Sequence, residues 1–250
     1  GDLVCVGTKI GEAQAPVSSP VYASVSGKVV KICDFLLAGG NSTTAVVIES
    51  DNQMTPDPAV CPPVIQSRED LITAVRESGV VGLGGAGFPA HVKLDVPPEQ
   101  IEYLIINGAE CEPYITSDTR TMLDDGEYIK AGVELLLRFI SADEAIIGIE
   151  RNKPECIAKM KEIFAGDPTV RVEALPETYP QGAEKVLIHS TTRRVVPEGK
   201  LPADVGVIVI NVTTLASLAS FVKTGMPLVE KSITVDILTS SNNPDSVSLI

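Results

Sequence analysis

Hydrophobic residues follow two rhythms along this chain. Over residues 1 to about 50 they come in short Val- and Ile-rich runs, within "GDLVCVGTKIGEA", "SSPVYASVSGKVVKICDF" and "TTAVVIES", broken by Gly and Ser. Runs of that length between turn residues predict short strands, so residues 1–55 read as a small all-β module. "DNQMTPDPAVCPPVIQSRED" is dense in Pro and Asp, and predicts a linker over 56–66. From Ser67 the period lengthens. "REDLITAVRESG" puts Leu71, Ile72 and Val75 on one helical face, Ser67 with Asp70 forms a capping box with Asp in place of Glu or Gln, and Gly79 is a C-terminal stop.

After Gly79 strands and helices alternate. "IEYLIING", "EAIIGIE", "TVRVEAL" and "DVGVIVINV" read as strands. "DTRTMLDDGEYIKAGVELLLRFI", "KPECIAKMKEIFAG", "GAEKVLIHST" and "TLASLASFVKTG" read as the helices that follow them. Alternation of this kind predicts an α/β domain with a largely parallel sheet over 67–237. The polar "LTSSNNPDSVSLI" predicts a poorly ordered tail over 238–250.

Composition narrows the class. The chain is 44% hydrophobic with 4% aromatic residues and no Trp, so its core is built from Val, Ile, Leu and Ala, which suits buried parallel strands. A net charge of −13 speaks against nucleic acid and against direct binding to anionic lipid. No apolar run approaches the roughly 20 residues of a spanning helix, so no direct membrane insertion is expected. The chain does not begin with Met and is expected to start inside a longer protein. Its five cysteines, Cys5, Cys33, Cys61, Cys111 and Cys156, form no C-x-x-C pair, and His91 and His189 lie far apart. That scatter fits a reducing cytosol and gives no metal site within this stretch.

Four stretches carry chemistry. The first is "GVVGLGGAGFPAHVKL". Gly82-x-Gly84-x-x-Gly87 matches the dinucleotide pattern formally, but that pattern needs a strand before it and a helix directly after it. Here an amphipathic helix precedes and Pro89 follows. Gly82, Gly84, Gly85 and Gly87 still allow positive φ and close backbone approach, consecutive N–H groups can form an anion nest, and Lys93 could neutralise a phosphate. The competing reading is a tight helix-to-strand connection. The second stretch, "NGAECEPY", lies at the C-terminal end of a predicted strand, where open α/β sheets bind ligands. Asn107 offers both donor and acceptor, and Glu110 and Glu112 share a face only if the segment is extended. A solvated acidic loop is the alternative. Cys111 is either a redox thiol or a flanking structural residue. The third, "YPQGAEKVL", places Tyr179, Gly182 and Glu184 at a loop-to-helix junction. The fourth, "INVTTLA", places Asn211, Thr213 and Thr214 at a candidate N-cap.

These motifs support a family resemblance. "GLGGAGFPAHVKL", "NGAECEP", "YPQGAEK" and "INVTTLA" come in the order found in the flavin- and NADH-binding subunit of respiratory complex I. "NGAECEPYITSDTR" and "YPQGAEKVLIHSTTRRVVPEGKLPADVGVIVINV" resemble more closely the C subunit of the Rnf electron-transport complex, and the proline-reductase-associated electron-transfer protein of clostridia. The likeness runs over roughly residues 1–236. The strands "GDLVCVGTKIGE" and "VYASVSGKVVKI" resemble a barrel-sandwich hybrid, the fold of biotinyl and lipoyl carriers. In those the carrier lysine sits in a hairpin within Met-Lys-Met or Asp-Lys-Ala. Ser26-Gly27-Lys28-Val29 reads as the matching hairpin without either motif, which favours a structural module over covalent carriage by Lys28.

The resemblance implies the following. The fold is a Rossmann-like parallel-sheet FMN-binding domain of complex I type behind a small all-β barrel-sandwich-like module. Gly82, Gly84, Gly85, Gly87 and Lys93 line an FMN site, and Phe88 stacks at the nucleotide side. Asn107, Glu110 and Glu112 lie beside flavin and nicotinamide, followed by Tyr179, Gly182 and Glu184, then Asn211 and Thr214. The chain is then an NADH-linked oxidoreductase subunit that exchanges electrons between NAD(H) and FMN, with no catalytic side chain because the cofactor does the chemistry. The 4Fe-4S clusters of the Rnf type belong to a C-terminal part whose cysteine-rich runs are absent here, and "ILTSSNNPDSVSLI" does not resemble the family's continuation, so the tail is expected to be foreign to it. Partners are other subunits of a membrane-bound or soluble electron-transfer complex, ferredoxin-like proteins among them. Location is cytoplasmic, peripheral on the inner face of the cell membrane through those subunits. Two positions depart from the complex I pattern: Ala109 replaces an aspartate, and Ile210 the first of two asparagines. Both point to looser flavin retention and to the alternative, a cofactor-free docking domain. A stand-alone NAD dehydrogenase is the weakest reading, since neither histidine falls within the four stretches.

Overall fold

The computed structural model describes residues 1–97 and 100–235, and the backbone alone of 237–240 and 243–249. The chain divides into two compact units, residues 1–95 with 217–230, and residues 96–216 with 231–250.

The first unit opens with five strands, β1 (Leu3–Val4), β2 (Lys9–Gly11), β3 (Val21–Tyr22), β4 (Gly27–Leu36) and β5 (Ser42–Ser50). They pair antiparallel, in the order β1-β4-β5 and as a separate β2-β3 ribbon. Lys28 does not sit in a hairpin turn. It pairs with Leu3 on one side and Glu49 on the other, inside β4. The β4–β5 turn lies farther on, at Gly39 and Gly40, where "LLAGGN" supplies the flexible residues and Gly40 has a positive φ of 84°. The geometry that presents a carrier lysine is therefore missing.

Helix α1 (Arg68–Glu77) begins with the expected capping box: Ser67 accepts from the Asp70 N–H, and the Asp70 carboxylate accepts from the Ser67 N–H. Leu71, Ala74 and Val75 are its buried face. Gly79 follows the helix with φ +70°, and an added Cβ would lie 3.1 Å from the Tyr22 ring, so both conformation and space favour glycine there. The Tyr22 hydroxyl donates to the Glu77 carbonyl at 2.5 Å, and Lys9 pairs with the Glu77 carboxylate at 2.6 Å. The β2–β3 ribbon is thereby tied to the end of α1. Helix α2 (Ala90–Leu94) completes the part of this unit that matters below.

In the second unit β6 (Tyr103–Gly108), β7 (Glu144–Glu150), β8 (Val170–Leu175) and β9 (Val207–Asn211) form one parallel sheet in the order β8-β7-β6-β9. Helices α3 (Ser117–Asp124), α4 (Gly126–Ile140), α5 (Pro154–Ile163), α6 (Glu184–Thr192) and α7 (Val212–Thr224) alternate with the strands. Ile105, Ile146, Leu187, Ile188, Val207 and Val209 form one core cluster. Near-continuous apolar runs such as "LII", "AII" and "VIVI" are what a sheet covered on both faces requires.

One further expectation is corrected. The long helix read from "DTRTMLDDGEYIKAGVELLLRFI" is two helices, broken at Asp125, where φ is −110° and ψ 25°. Asp-Asp-Gly is a turn signal, and Gly126 opens α4 so close to α5 that a Cβ would lie 2.3 Å from Ile163 Cδ1. Over the tail, β10 (Ile237–Ser240) pairs antiparallel with β11 (Asn243–Leu249), in register Ile237↔Leu249 and Thr239↔Val247. Residues 241, 242 and 250 of that tail lie outside the described ones.

Candidate functional site

Two places gather the residues singled out by sequence, one in each unit. In the first unit the glycine loop is closed at its neck. Val81 forms an antiparallel bridge with Pro89, the Gly82 N–H donates to the Phe88 carbonyl at 2.8 Å, and the Ala90 N–H donates to the Val80 carbonyl at 3.1 Å. Leu83 is buried and anchors the loop, while Gly84 to Phe88 are exposed. No strand precedes the loop, so the dinucleotide match is formal only. Lys93 sits half-buried on α2.

The glycines differ in what they need. Gly87 has φ +69°, which explains its identity by conformation alone. An added Cβ at Gly82 would meet Phe88 backbone at an ordinary 3.6 Å. Gly85 has neither a positive φ nor any atom within 4 Å of an added Cβ. Nothing among the described residues requires glycine at 85. Close approach of something from outside is the remaining physical reason, and that is how a backbone phosphate cradle is built. The loop therefore leaves room over Gly85 for an external group.

In the second unit the sheet supplies a topological switch point. From β6 the chain moves to β7 and β8 on one side, then returns to β9 on the other side of β6. Open α/β sheets bind ligands at the C-terminal ends of the strands beside such a switch. Asn107 and Asn211 are register partners at those ends of β6 and β9. Asn107 Nδ2 donates to the Gly182 carbonyl at 2.9 Å, and its Oδ1 accepts from the Ala109 N–H at 3.1 Å. Asn211 Oδ1 accepts from the Thr214 N–H at 3.0 Å, the bond of an N-cap, and from the Thr214 hydroxyl at 3.2 Å. Asn211 Nδ2 donates to Asp118 at 2.7 Å.

Glu110 and Glu112 diverge. Glu110 is 9% exposed and its carboxylate caps α3, accepting from the Asp118 N–H at 2.7 Å, the Thr119 N–H at 3.2 Å and the Thr119 hydroxyl at 2.7 Å. Burial pushes its pKa up, and the donors on the helix oppose that. Glu112 is exposed and accepts from the Tyr179 hydroxyl at 3.1 Å, which raises the Tyr179 pKa. Gly182 is forced by close approach: a Cβ there would lie 2.4 Å from the Ala109 carbonyl and 3.3 Å from Cys111 Sγ. The Gly182 N–H donates to Cys111 Sγ at 3.4 Å, which gives the thiol a local partner. Glu184 is the first residue of α6.

Sequence reading missed three groups here. Asp118 and Glu150 are 8% and 3% exposed. Lys153 Nζ donates to the Glu110 carbonyl at 3.0 Å and to the Glu150 carboxylate at 3.2 Å. In sequence Asp118 reads as an ordinary first-turn acid; only distant partners bury it. Among the described residues no group of three or more His, Cys, Asp or Glu could hold a metal ion, and no helix is long and apolar enough to cross a membrane.

Comparison with known proteins agrees with this fold. Residues 75–220 match the Nuo51 FMN-binding domain family, and residues 1–53 match the RnfC barrel sandwich hybrid domain. The C subunit of the proton-translocating ferredoxin:NAD(+) oxidoreductase complex of Clostridium ljungdahlii is 44% identical over 94% of this chain and 52% of its own length. Its Na(+)-translocating counterpart from Acetobacterium woodii is 42% identical over 94% of this chain and 54% of its own. The chain spans about half the length of these relatives. Among solved structures, the NAD+-reducing [NiFe]-hydrogenase in its H2-reduced state shares the fold, with a TM-score of 0.55 and 24% identity over 69% of this chain and 34% of that one. With residues 75–220 matched by its model, the protein belongs to the Nuo51 FMN-binding domain family, and an RnfC barrel sandwich hybrid domain precedes that match on the same chain.

Proposed function

We propose that this chain binds FMN and serves as the flavin-bearing part of a subunit that exchanges electrons with NAD(H) and passes them to iron–sulfur centres elsewhere in a larger complex. The observation that carries the reading is the open space over Gly85, in a loop held shut at its neck. Family membership and the names of the relatives, ferredoxin:NAD(+) oxidoreductase subunits, support it.

Bound FMN would supply the redox chemistry, coupling a two-electron nicotinamide to one-electron carriers. The chain's own residues bind and orient. In the first unit, N–H groups from Gly84 to Gly87 and the Lys93 ammonium hold the phosphate, and Phe88, 44% exposed, offers a ring face. In the second unit, Asn107, Asn211 and Glu110 shape the ends of β6 and β9, through the bonds given above. Tyr179 and Glu112 present an exposed hydroxyl–carboxylate pair suited to ribose hydroxyls, with Glu184 beside them in sequence order and Thr214 behind Asn211. The remaining length of the relatives would carry the 4Fe-4S clusters. Other subunits, ferredoxin-like proteins among them, would be the partners and would hold the chain at the inner face of the membrane.

Titration of protein into FMN tests this. Quenching of flavin fluorescence in wild type, weakened at least tenfold in Gly85→Val with an unchanged unfolding midpoint, is the expected result. No quenching at high micromolar protein would refute it. The second reading, a cofactor-free docking domain, draws on Asn107 and Glu110, whose side chains are already satisfied within the chain, and on Ala109 in place of an acid. The same titration separates the two.

A further inference from the structure

Asp118 is a buried carboxyl to which the function proposed above gives no role. It lies in the first turn of α3, 8% exposed. Its Oδ2 accepts from Asn211 Nδ2 at 2.7 Å, and its Oδ1 lies 2.5 Å from Thr213 Oγ1. Thr213 Oγ1 in turn lies 2.8 Å from Thr121 Oγ1, and Thr121 Oγ1 lies 3.0 Å from the Ser117 carbonyl, the back-bond that threonine commonly makes within a helix.

Asp118 Oδ1, Thr213 Oγ1, Thr121 Oγ1 and Ser117 O thus stand in a row. A row of four oxygens has three contacts and needs three hydrogens. Each threonine hydroxyl brings one, and a carbonyl brings none. Among the described residues in contact with this row, the carboxyl is the group that can bring the third. With a proton on Oδ1, all contacts fill in one direction: Asp118 donates to Thr213, Thr213 to Thr121, and Thr121 to the Ser117 carbonyl. Without it, one pair of oxygens would meet lone pair to lone pair in a buried place, which is costly. Oδ2 accepts from Asn211 in either state.

The neighbouring charges agree. Glu110 faces only donors, the Asp118 and Thr119 N–H groups and the Thr119 hydroxyl, at the N-terminal end of α3, so it is the ionised member of the pair. A second charge on Asp118 would repel it. Lys153 and Lys231 act the other way, favouring an anion, while burial is the larger influence and pushes the Asp118 pKa up. On α3 itself Arg120 is paired with Asp124, and from α5 the Cys156 thiol, its own pKa raised by burial, lies 3.8 Å from the Thr119 carbonyl.

We propose that Asp118 is held as a neutral carboxylic acid in the folded protein, and that it is a positioning residue whose proton, directed through Thr213 and Thr121, fixes the β9–α7 junction that presents Asn211. This does not rest on flavin binding.

Asp118→Asn tests it, because the amide copies the neutral acid: its nitrogen donates to Thr213 and its oxygen accepts from Asn211. In wild type at pH about 6, where ordinary carboxyls are ionised, infrared difference spectra against Asp118→Asn should show a protonated carboxyl band. A pKa raised in the folded state contributes stability below the unfolded value and loses it as pH rises through the folded value. The unfolding midpoint of wild type should therefore fall on alkaline titration relative to Asp118→Asn, while Asp118→Ala lies below Asp118→Asn at every pH. Absence of the band, or Asp118→Asn dropping to the level of Asp118→Ala or failing to fold, would overturn the proposal.

Discussion

Asn107 and Asn211 are paired in register on adjacent strands, and their side chains tie down different parts of the chain. Asn107 reaches the turn that contains Gly182, and Asn211 reaches Asp118 on α3 while capping α7. One rung of the sheet thus sets the lining of the switch point on both sides. Their amides face neighbours rather than open solvent, so their first effect is on geometry.

Asn211→Ala should lower the stability of the chain. Loss of an N-cap costs about 1 kcal/mol, and stripping a donor from a buried carboxyl adds to that. Urea denaturation should show a lower midpoint with an unchanged slope. A midpoint equal to wild type would mean that Asn211 neither caps α7 nor supports Asp118.

Two glycines should respond in opposite ways. Gly182→Ala drives a methyl into the Ala109 carbonyl, a contact of 2.4 Å, and should destabilise by roughly 1–3 kcal/mol. Gly85→Val meets nothing among the described residues and should leave the thermal midpoint unchanged. Calorimetry on both variants checks the contrast without any ligand.

Much of the second unit was legible because its signals are local. Runs such as "LII" in β6 and "VIVI" in β9 are apolar at every position, and turn residues bound them. The α1 capping box spans four residues and could be read directly. The α3–α4 break was hidden because helical periodicity continues across Asp125, and only the packing of Gly126 against Ile163 makes the interruption firm. Glu110 and Glu112 look equivalent two residues apart, yet one caps a helix and the other meets a tyrosine 67 positions away. Asp118 was illegible for the same reason: Asn211 and Thr213 lie 93 and 95 positions from it, and nothing near it in sequence announces burial.

Glu110→Ala removes three acceptor contacts at the start of α3. A loss of about 1–3 kcal/mol is expected from the stranded donors. Hydrogen exchange should quicken at Asp118 and Thr119 before the rest of α3. Unchanged protection at those two amides would contradict the capping role.

Tyr22 should titrate late. Burial pushes its pKa up to about 12, and its hydroxyl must keep its proton to donate to the Glu77 carbonyl. The folded value exceeds the ordinary one of about 10, so its contribution is complete below pH 10 and disappears as pH rises through 12. Tyrosinate absorbance should lose a late-titrating phenol in Tyr22→Phe, while the raised Tyr179 remains. A normal titration for every tyrosine would rule out the buried contact.

The neck formed by Val81, Gly82, Phe88 and Pro89 governs how selective the glycine loop can be. Ordering a free backbone costs about 1–2 kcal/mol per residue, and glycine is the most expensive to order. A floppy glycine segment would mould itself to many anions and hold each weakly. Cinched at its base, this one has settled its shape during folding. The phosphate proposed above would meet a loop whose base is already closed.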